Sequence, residues 1–288
     1  MNQIAPLPIT VLFYEGPIGR AYVAMLRRLG FRVEKIVSLI PRPSPVGRII
    51  PGKFRRNLGL MRQNGSMHYW PRELIKTFPN TCHTLIDTLC AEYDLTKHYF
   101  AEMREMRPLT DYADAVEILE LDGVSDPQLA NYLSICPEEL ILFTGGGLVP
   151  SSILELNNVT LLHVHPGVLP DIRGSDGLLW STMVRGMPGS SAFLMKPGID
   201  EGDLISTADW AKLTFQVDPD ESPDDQALYR MIFSYYDPAI RALMLEKVLT
   251  AHPGFRKMMP VQQNLEEGKT YHFMNKRTRN LALSEIFV

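Results

Sequence analysis

Short apolar runs alternate with helix-patterned stretches along most of this chain, and that alternation restricts it to one broad architecture. Ile9-Thr-Val-Leu-Phe-Tyr14 is apolar without interruption and too short for a buried helix, so it reads as a strand covered on both faces. Glu15-Gly-Pro17 bounds it, and Pro17 suits a first helical position. Tyr22, Val23, Leu26 and Leu29 then recur at helical spacing until Gly30. Phe31–Leu39 is the next strand, which completes a strand–helix–strand unit. Further strands are expected at Ala115–Leu121, Glu139–Thr144, Val159–Val164, Ser190–Met195 and Leu204–Ala208. Helices are expected at Asp126–Leu133 (capped by Ser125), within Leu148–Leu154 and at Asp176–Arg185. The pattern implies an α/β fold, a mostly parallel sheet with helices on both faces. Leu74–Arg104 reads as helical with a break near Pro79, and Pro223–Leu249 as a long amphipathic helix interrupted at Pro238. Lys269–Phe273 reads as a strand. The expected division is a catalytic domain over residues 1–210 and a small helical and irregular C-terminal extension over 211–288.

Composition narrows the function classes. The formal net charge is −4 over 288 residues, which disfavours a nucleic-acid partner. Cys82, Cys90 and Cys136 are an odd set without a CxxC pair, so reduced thiols and a cytoplasmic location are expected. No export signal or membrane span is read. From Lys35 to Arg72 there are eight basic residues and no acidic one: Lys35, Arg42, Arg48, Lys53, Arg55, Arg56, Arg62 and Arg72. That stretch is either an anion site or a solvated loop paired with the acidic run Asp200–Asp225, and the aromatic pair Tyr69-Trp70 beside it could stack on a base. His68, His83 and His98 meet no zinc spacing with Cys82 and Cys90.

Chemistry concentrates where the fifth expected strand ends. In Thr160-Leu-Leu-His-Val-His-Pro166, side chains two apart share a face, so His163 and His165 project together before Pro166 stops the ladder. Strand ends are where open α/β sheets hold ligands. The preceding strand runs into Gly145-Gly146-Gly147, whose lack of side chains lets a flat ligand approach the backbone. Asp200 lies in the tight turn Gly198-Ile-Asp-Glu-Gly-Asp203.

The span from Gly145 to Ile205 resembles the catalytic core of the formyltransferases that use 10-formyltetrahydrofolate. Gly147-Leu-Val-Pro-Ser-Ser-Ile-Leu154 is similar to the loop and short helix after that family's pterin-binding strand. His165-Pro-Gly-Val-Leu-Pro-Asp-Ile-Arg-Gly174 is similar to its His-Pro-Ser-Leu-Leu-Pro-x-x-Arg-Gly, and Gly189–Asp203 matches the stretch that ends in its Asp-x-Gly. The resemblance implies a Rossmann-like formyltransferase fold and transfer of a formyl group from 10-formyltetrahydrofolate to an amine or related nucleophile of a small-molecule acceptor. A nucleotide-linked amino sugar or an amino-acid derivative would serve as that acceptor. It also implies donor contacts at Gly145, Gly146, Gly147, Leu148, Val149 and Asp200, with Arg173 and Gly174 on the substrate side. The family's catalytic trio is Asn, His and Asp; here His165 and Asp200 match, and His163 stands at the asparagine position. The roles expected are proton transfer for His165, orientation of that ring for Asp200, and donation to the oxyanion for His163. Two alternatives share these residues: a 10-formyltetrahydrofolate hydrolase, and a metal-dependent hydrolase built on His163 and His165. No resident metal is expected, and a homo-oligomer is left open.

Overall fold

A computed structural model describes residues 5–42 and 67–288. The middle of the basic stretch, with Arg48, Lys53, Arg55, Arg56 and Arg62, lies outside the described residues.

Nine strands are present among the described residues: β1 (Ala5–Tyr14), β2 (Phe31–Pro41), β3 (Ala113–Leu121), β4 (Glu139–Phe143), β5 (Val159–His165), β6 (Ile172–Gly174), β7 (Gly189–Leu194), β8 (Asp203–Asp209) and β9 (Lys269–Tyr271). Seven form one sheet in the order β3-β2-β1-β4-β5-β7-β8. The first five run parallel, and β7 and β8 continue the sheet antiparallel. The α/β reading of the sequence is therefore the observed architecture. Burial on both faces explains why the central strands β1 and β4 read as apolar runs. Leu7, Ile9, Val11 and Phe13 of β1 enter one core, and Leu12 enters the other. Period two along a strand requires that alternation.

The order of the strands reverses between β1 and β4. Successive strands are laid one way from β1 to β3 and the other way from β4 to β5; in open α/β sheets the ligand crevice lies at such a switch point, beyond the carboxyl ends of the strands. Tyr14 N donates to Thr144 Oγ1 at 2.9 Å and Thr144 N to Leu12 O at 3.1 Å, so β1 and β4 remain paired up to the crevice floor.

The helix Asp237–Ala251, which the sequence reading places in the C-terminal extension, is packed into the larger core. Its Ala239, Ile240, Ala242, Met244, Leu245 and Val248 are fully buried beside Tyr22 and Met25 of the helix Pro17–Arg28. The long helix expected over Pro223–Leu249 is three pieces: Asp225–Met231, a wide turn at Ile232–Tyr236, and Asp237–Ala251. The break falls just before Pro238, which cannot donate the hydrogen bond that a continuous helix needs. The helix expected after Ser125 starts at Pro127, and its cap is Asp126. That carboxylate accepts from Gln128 N at 2.9 Å. β9 is shorter than expected and pairs in parallel with β6, which ties the chain near residue 270 to the loop after β5.

The described basic residues do not pair with Asp200–Asp225. Lys35 lies 3.9 Å from Glu139, and Arg42 bonds Asp122 at 2.7 Å and Asp126 at 2.8 Å. A guanidinium, that of Arg230, sits 5.0 Å over the Trp70 ring. That face of the indole is already taken. Among the described residues, no helix is long and apolar enough to cross a membrane.

Candidate active site

Strand alternation puts His163 and His165 together at the end of β5, and Val164 between them points into the core. Both imidazoles are buried, at 7% and 3% exposure. Asp200 arrives from the turn between β7 and β8. Its Oδ2 lies 3.3 Å from His165 Nδ1 and accepts from Gly174 N at 2.8 Å. The Asp200 carbonyl accepts from Gln263 Nε2 at 2.9 Å. Asp200 adopts φ +56°, a left-handed conformation that aspartate visits more readily than most side chains, and these bonds accompany it. The structure thus joins three residues that are up to 37 positions apart in sequence (200 − 163).

The two histidines differ in what their nitrogens face. His163 Nδ1 lies 3.1 Å from Phe143 O, on the neighbouring strand. A carbonyl only accepts, so Nδ1 carries the hydrogen and the neutral ring keeps a lone pair on Nε2. Phe143 and Phe193 stand against the ring, with centroids at 5.7 and 5.8 Å. Burial in this setting, reinforced by the Arg241 cation, pushes the His163 pKa down to about 4; Phe143 O and Asp200 oppose that only partly. His165 Nδ1 faces the Asp200 carboxylate. Its Nε2 is buried without a hydrogen-bond partner, and a methyl group at Gly167 or Gly177 would lie 2.8 or 3.0 Å from it. Burial also lowers the His165 pKa, and Asp200 partly restores it.

This geometry changes the expected role of His163. Donation to an oxyanion needs a second N–H, hence an imidazolium, and the buried ring resists that charge. Neutral His163 offers an acceptor where the resembled family has an amide donor.

The glycines behave unequally. Gly145 is closed: a methyl there would lie 2.6 Å from both the Phe143 and Tyr14 rings. At Gly146 and Gly147 a methyl would meet nothing within 4 Å, and Leu148 is 66% exposed. Val149 is buried in the smaller core. The open part of the expected donor-contact set is therefore Gly146, Gly147 and Leu148. Arg173 is buried, with Nη2 donating to Leu265 O at 3.3 Å and Gly268 O at 3.4 Å. Gly174 has φ +96° and its backbone abuts Tyr271, so it shapes the loop and holds Asp200.

Two groups behind the site were missed by the sequence reading. Arg241 Nη1 donates to Val164 O at 2.7 Å, between the histidines, and its Nε bonds the buried Asp237 carboxylate. Asp176 accepts from Tyr229 Oη at 2.7 Å and from Met274 N at 2.8 Å, which fastens the loop after β5 to the C-terminal part. A signal for the first pair was present: Asp237 and Arg241 are four apart inside an otherwise apolar helical run. Among the described residues, no group of three or more His, Cys, Asp or Glu side chains is placed to hold a metal ion.

No family model matches the chain. Relatives match part of it. A methionyl-tRNA formyltransferase from Syntrophus aciditrophicus is 28% identical over 93 residues, 31% of this chain and 30% of the relative. Another, from a Hydrogenobaculum species, is 32% identical over 95 residues, 31% of this chain and 32% of that protein. The chain thus matches about three tenths of the length of these curated relatives. A solved sugar N-formyltransferase from a Shewanella species aligns over 96% of this chain and 87% of its own, at 12% identity and a TM-score of 0.48. Over about three tenths of its length the chain is similar to methionyl-tRNA formyltransferases.

Proposed function

We propose that this protein transfers a formyl group from 10-formyltetrahydrofolate to a nitrogen of a small-molecule acceptor. The observation that carries the reading is the Asp200 carboxylate 3.3 Å from His165, beside His163, at the crevice where the strand order reverses. Open backbone at Gly146 and Gly147 fits a flat heterocycle, and exposed Leu148 supplies an apolar contact for its face. The donor, when bound there, supplies the formyl carbon. Asp200 fixes the His165 ring and favours a proton on Nδ1, and the two buried imidazoles exclude water from the crevice floor. Arg173 and Gly174 shape the rim, and the acceptor lies beyond them.

The test is a calorimetric titration with a stable 10-formylfolate analogue, followed by an acceptor screen with 10-formyltetrahydrofolate. The screen includes nucleotide-linked amino sugars, amino-acid derivatives, methionyl-tRNA and a reaction without acceptor. Saturable binding and a formylated nitrogen product are expected. Formate released without an acceptor would identify a hydrolase instead, and no binding of the analogue would overturn the folate reading.

A further inference from the structure

Moving a formyl group between two nitrogens also moves one proton, from the acceptor nitrogen to the nitrogen that leaves. The atom that carries it needs a lone pair, access to the crevice and no competing partner. Two imidazoles supply four candidate nitrogens, and the structure disposes of three. His165 Nδ1 faces the Asp200 carboxylate, which only accepts, so that nitrogen holds its hydrogen. His165 Nε2 is walled in beside Gly167 and Gly177. His163 Nδ1 is committed to Phe143 O. His163 Nε2 has no hydrogen-bond partner among the described residues.

We propose that His163 Nε2 is the proton carrier of the reaction, an inference that rests on the formyl-transfer reading. The lone pair of the acceptor nitrogen forms the new bond to the formyl carbon, and one N–H proton of that nitrogen passes to Nε2. The bond between the formyl carbon and the donor nitrogen breaks, its electron pair stays with that nitrogen, and the same proton returns from Nε2 to it. Nothing is oxidised or reduced, and the imidazole ends as it began.

The surroundings suit the second half of this cycle. Charged and titratable groups reach the ring from three directions: Asp200 from the β7–β8 turn, His165 from its own strand, and Arg241 with its partner Asp237 from the helix below. Arg241 disfavours a cationic His163 and Asp200 favours it. A ring that is reluctant to hold a proton gives it up readily. An arylamine-type leaving nitrogen is weakly basic and needs such a donor. Asparagine at this position would donate and could not carry a proton, so the exchange to histidine reverses the polarity of the site.

Two measurements test the proposal. Nitrogen NMR of the wild-type imidazoles, assigned by comparison with His163→Asn, reads the tautomer directly; Nδ1 protonated and Nε2 unprotonated at pH 7 are expected. Formyl transfer from 10-formyltetrahydrofolate to hydroxylamine, used as the acceptor probe, is then compared between wild type and His163→Leu, which can neither carry a proton nor donate a hydrogen bond. A fall in kcat of about 100-fold or more is expected, with the KM for the donor nearly unchanged. A hydrogen on Nε2 in the resting protein, or His163→Leu turning over within about threefold of wild type, would overturn the assignment and leave formyl transfer standing. Failure of the wild type to bind the 10-formylfolate analogue is a different outcome, and it removes the reading and the inference together.

Discussion

The loops that leave the neighbouring strands β4 and β5 are built in opposite ways. After β4, Gly146, Gly147 and Leu148 are uncovered, and a methyl group added at either glycine would touch nothing. After β5, the backbone is held from all sides: Gly174 N by Asp200, Asp176 by Tyr229 and Met274, and β6 by β9. One loop is finished by the protein, and the other presents bare backbone. Reactive groups need the first kind of support, because sub-ångström placement decides their chemistry, while recognition of a flat ring needs only an accessible surface.

The largest effect is expected where β5, the strand before the finished loop, is anchored. Arg241→Leu removes the donor to Val164 O and leaves the Asp237 carboxylate buried and unpaired. It should destabilise the fold by about 3–5 kcal/mol, measured by urea unfolding. A loss below about 1 kcal/mol would mean that β5 does not depend on the helix beneath it.

Acid should act on the same strand. The folded protein holds His163 neutral with a pKa near 4, below the ordinary histidine value of about 6.5. Between those values the unfolded chain binds more protons than the folded one, so stability falls as pH drops from about 6.5 and levels off below about 4. One buried imidazole contributes about 3 kcal/mol over that window, and His165, lowered in the same direction, adds to it. Urea midpoints measured from pH 7 to pH 4 should slope less steeply in His163→Asn. An equal slope would place the acid sensitivity elsewhere.

The smallest effect on folding is expected at the bare loop. Gly146→Ala should change stability by no more than about 0.5 kcal/mol, since the added methyl points into open space. Calorimetry should nevertheless show weaker binding of the stable 10-formylfolate analogue. A large loss of stability, or unchanged affinity, would break the contrast between the two loops.

Much of this was readable in advance for a simple reason. Runs such as Ile9–Tyr14 and Glu139–Phe143 are buried on both faces and carry that burial in their composition, so the strand positions and the fold class followed from pattern, while the order of strands in the sheet did not. The His163–Val164–His165 spacing likewise fixed a shared face. What pattern could not supply was the identity of backbone partners. Phe143 O decides the tautomer of His163 from 20 residues away, and a carbonyl leaves no mark in a sequence. The Arg241–Asp237 pair did leave one, as charge inside an apolar helix, but its partner Val164 O is equally silent. Asp176 went unread because its partners Tyr229 and Met274 lie in the C-terminal part, and the bonds from Arg173, a residue the motif did mark, go to Leu265 O and Gly268 O in a stretch whose irregular pattern suggested an appendage.

Pairing of β9 with β6 has a consequence for how the molecule comes into being. During synthesis the sheet can assemble as its strands emerge, yet the loop bearing Gly174 lacks its neighbour until Tyr271 has been polymerised and released. A nascent or prematurely terminated chain would own the seven-stranded sheet while the Gly174 loop that holds Asp200 still lacked β9, so the support of that carboxylate is completed late.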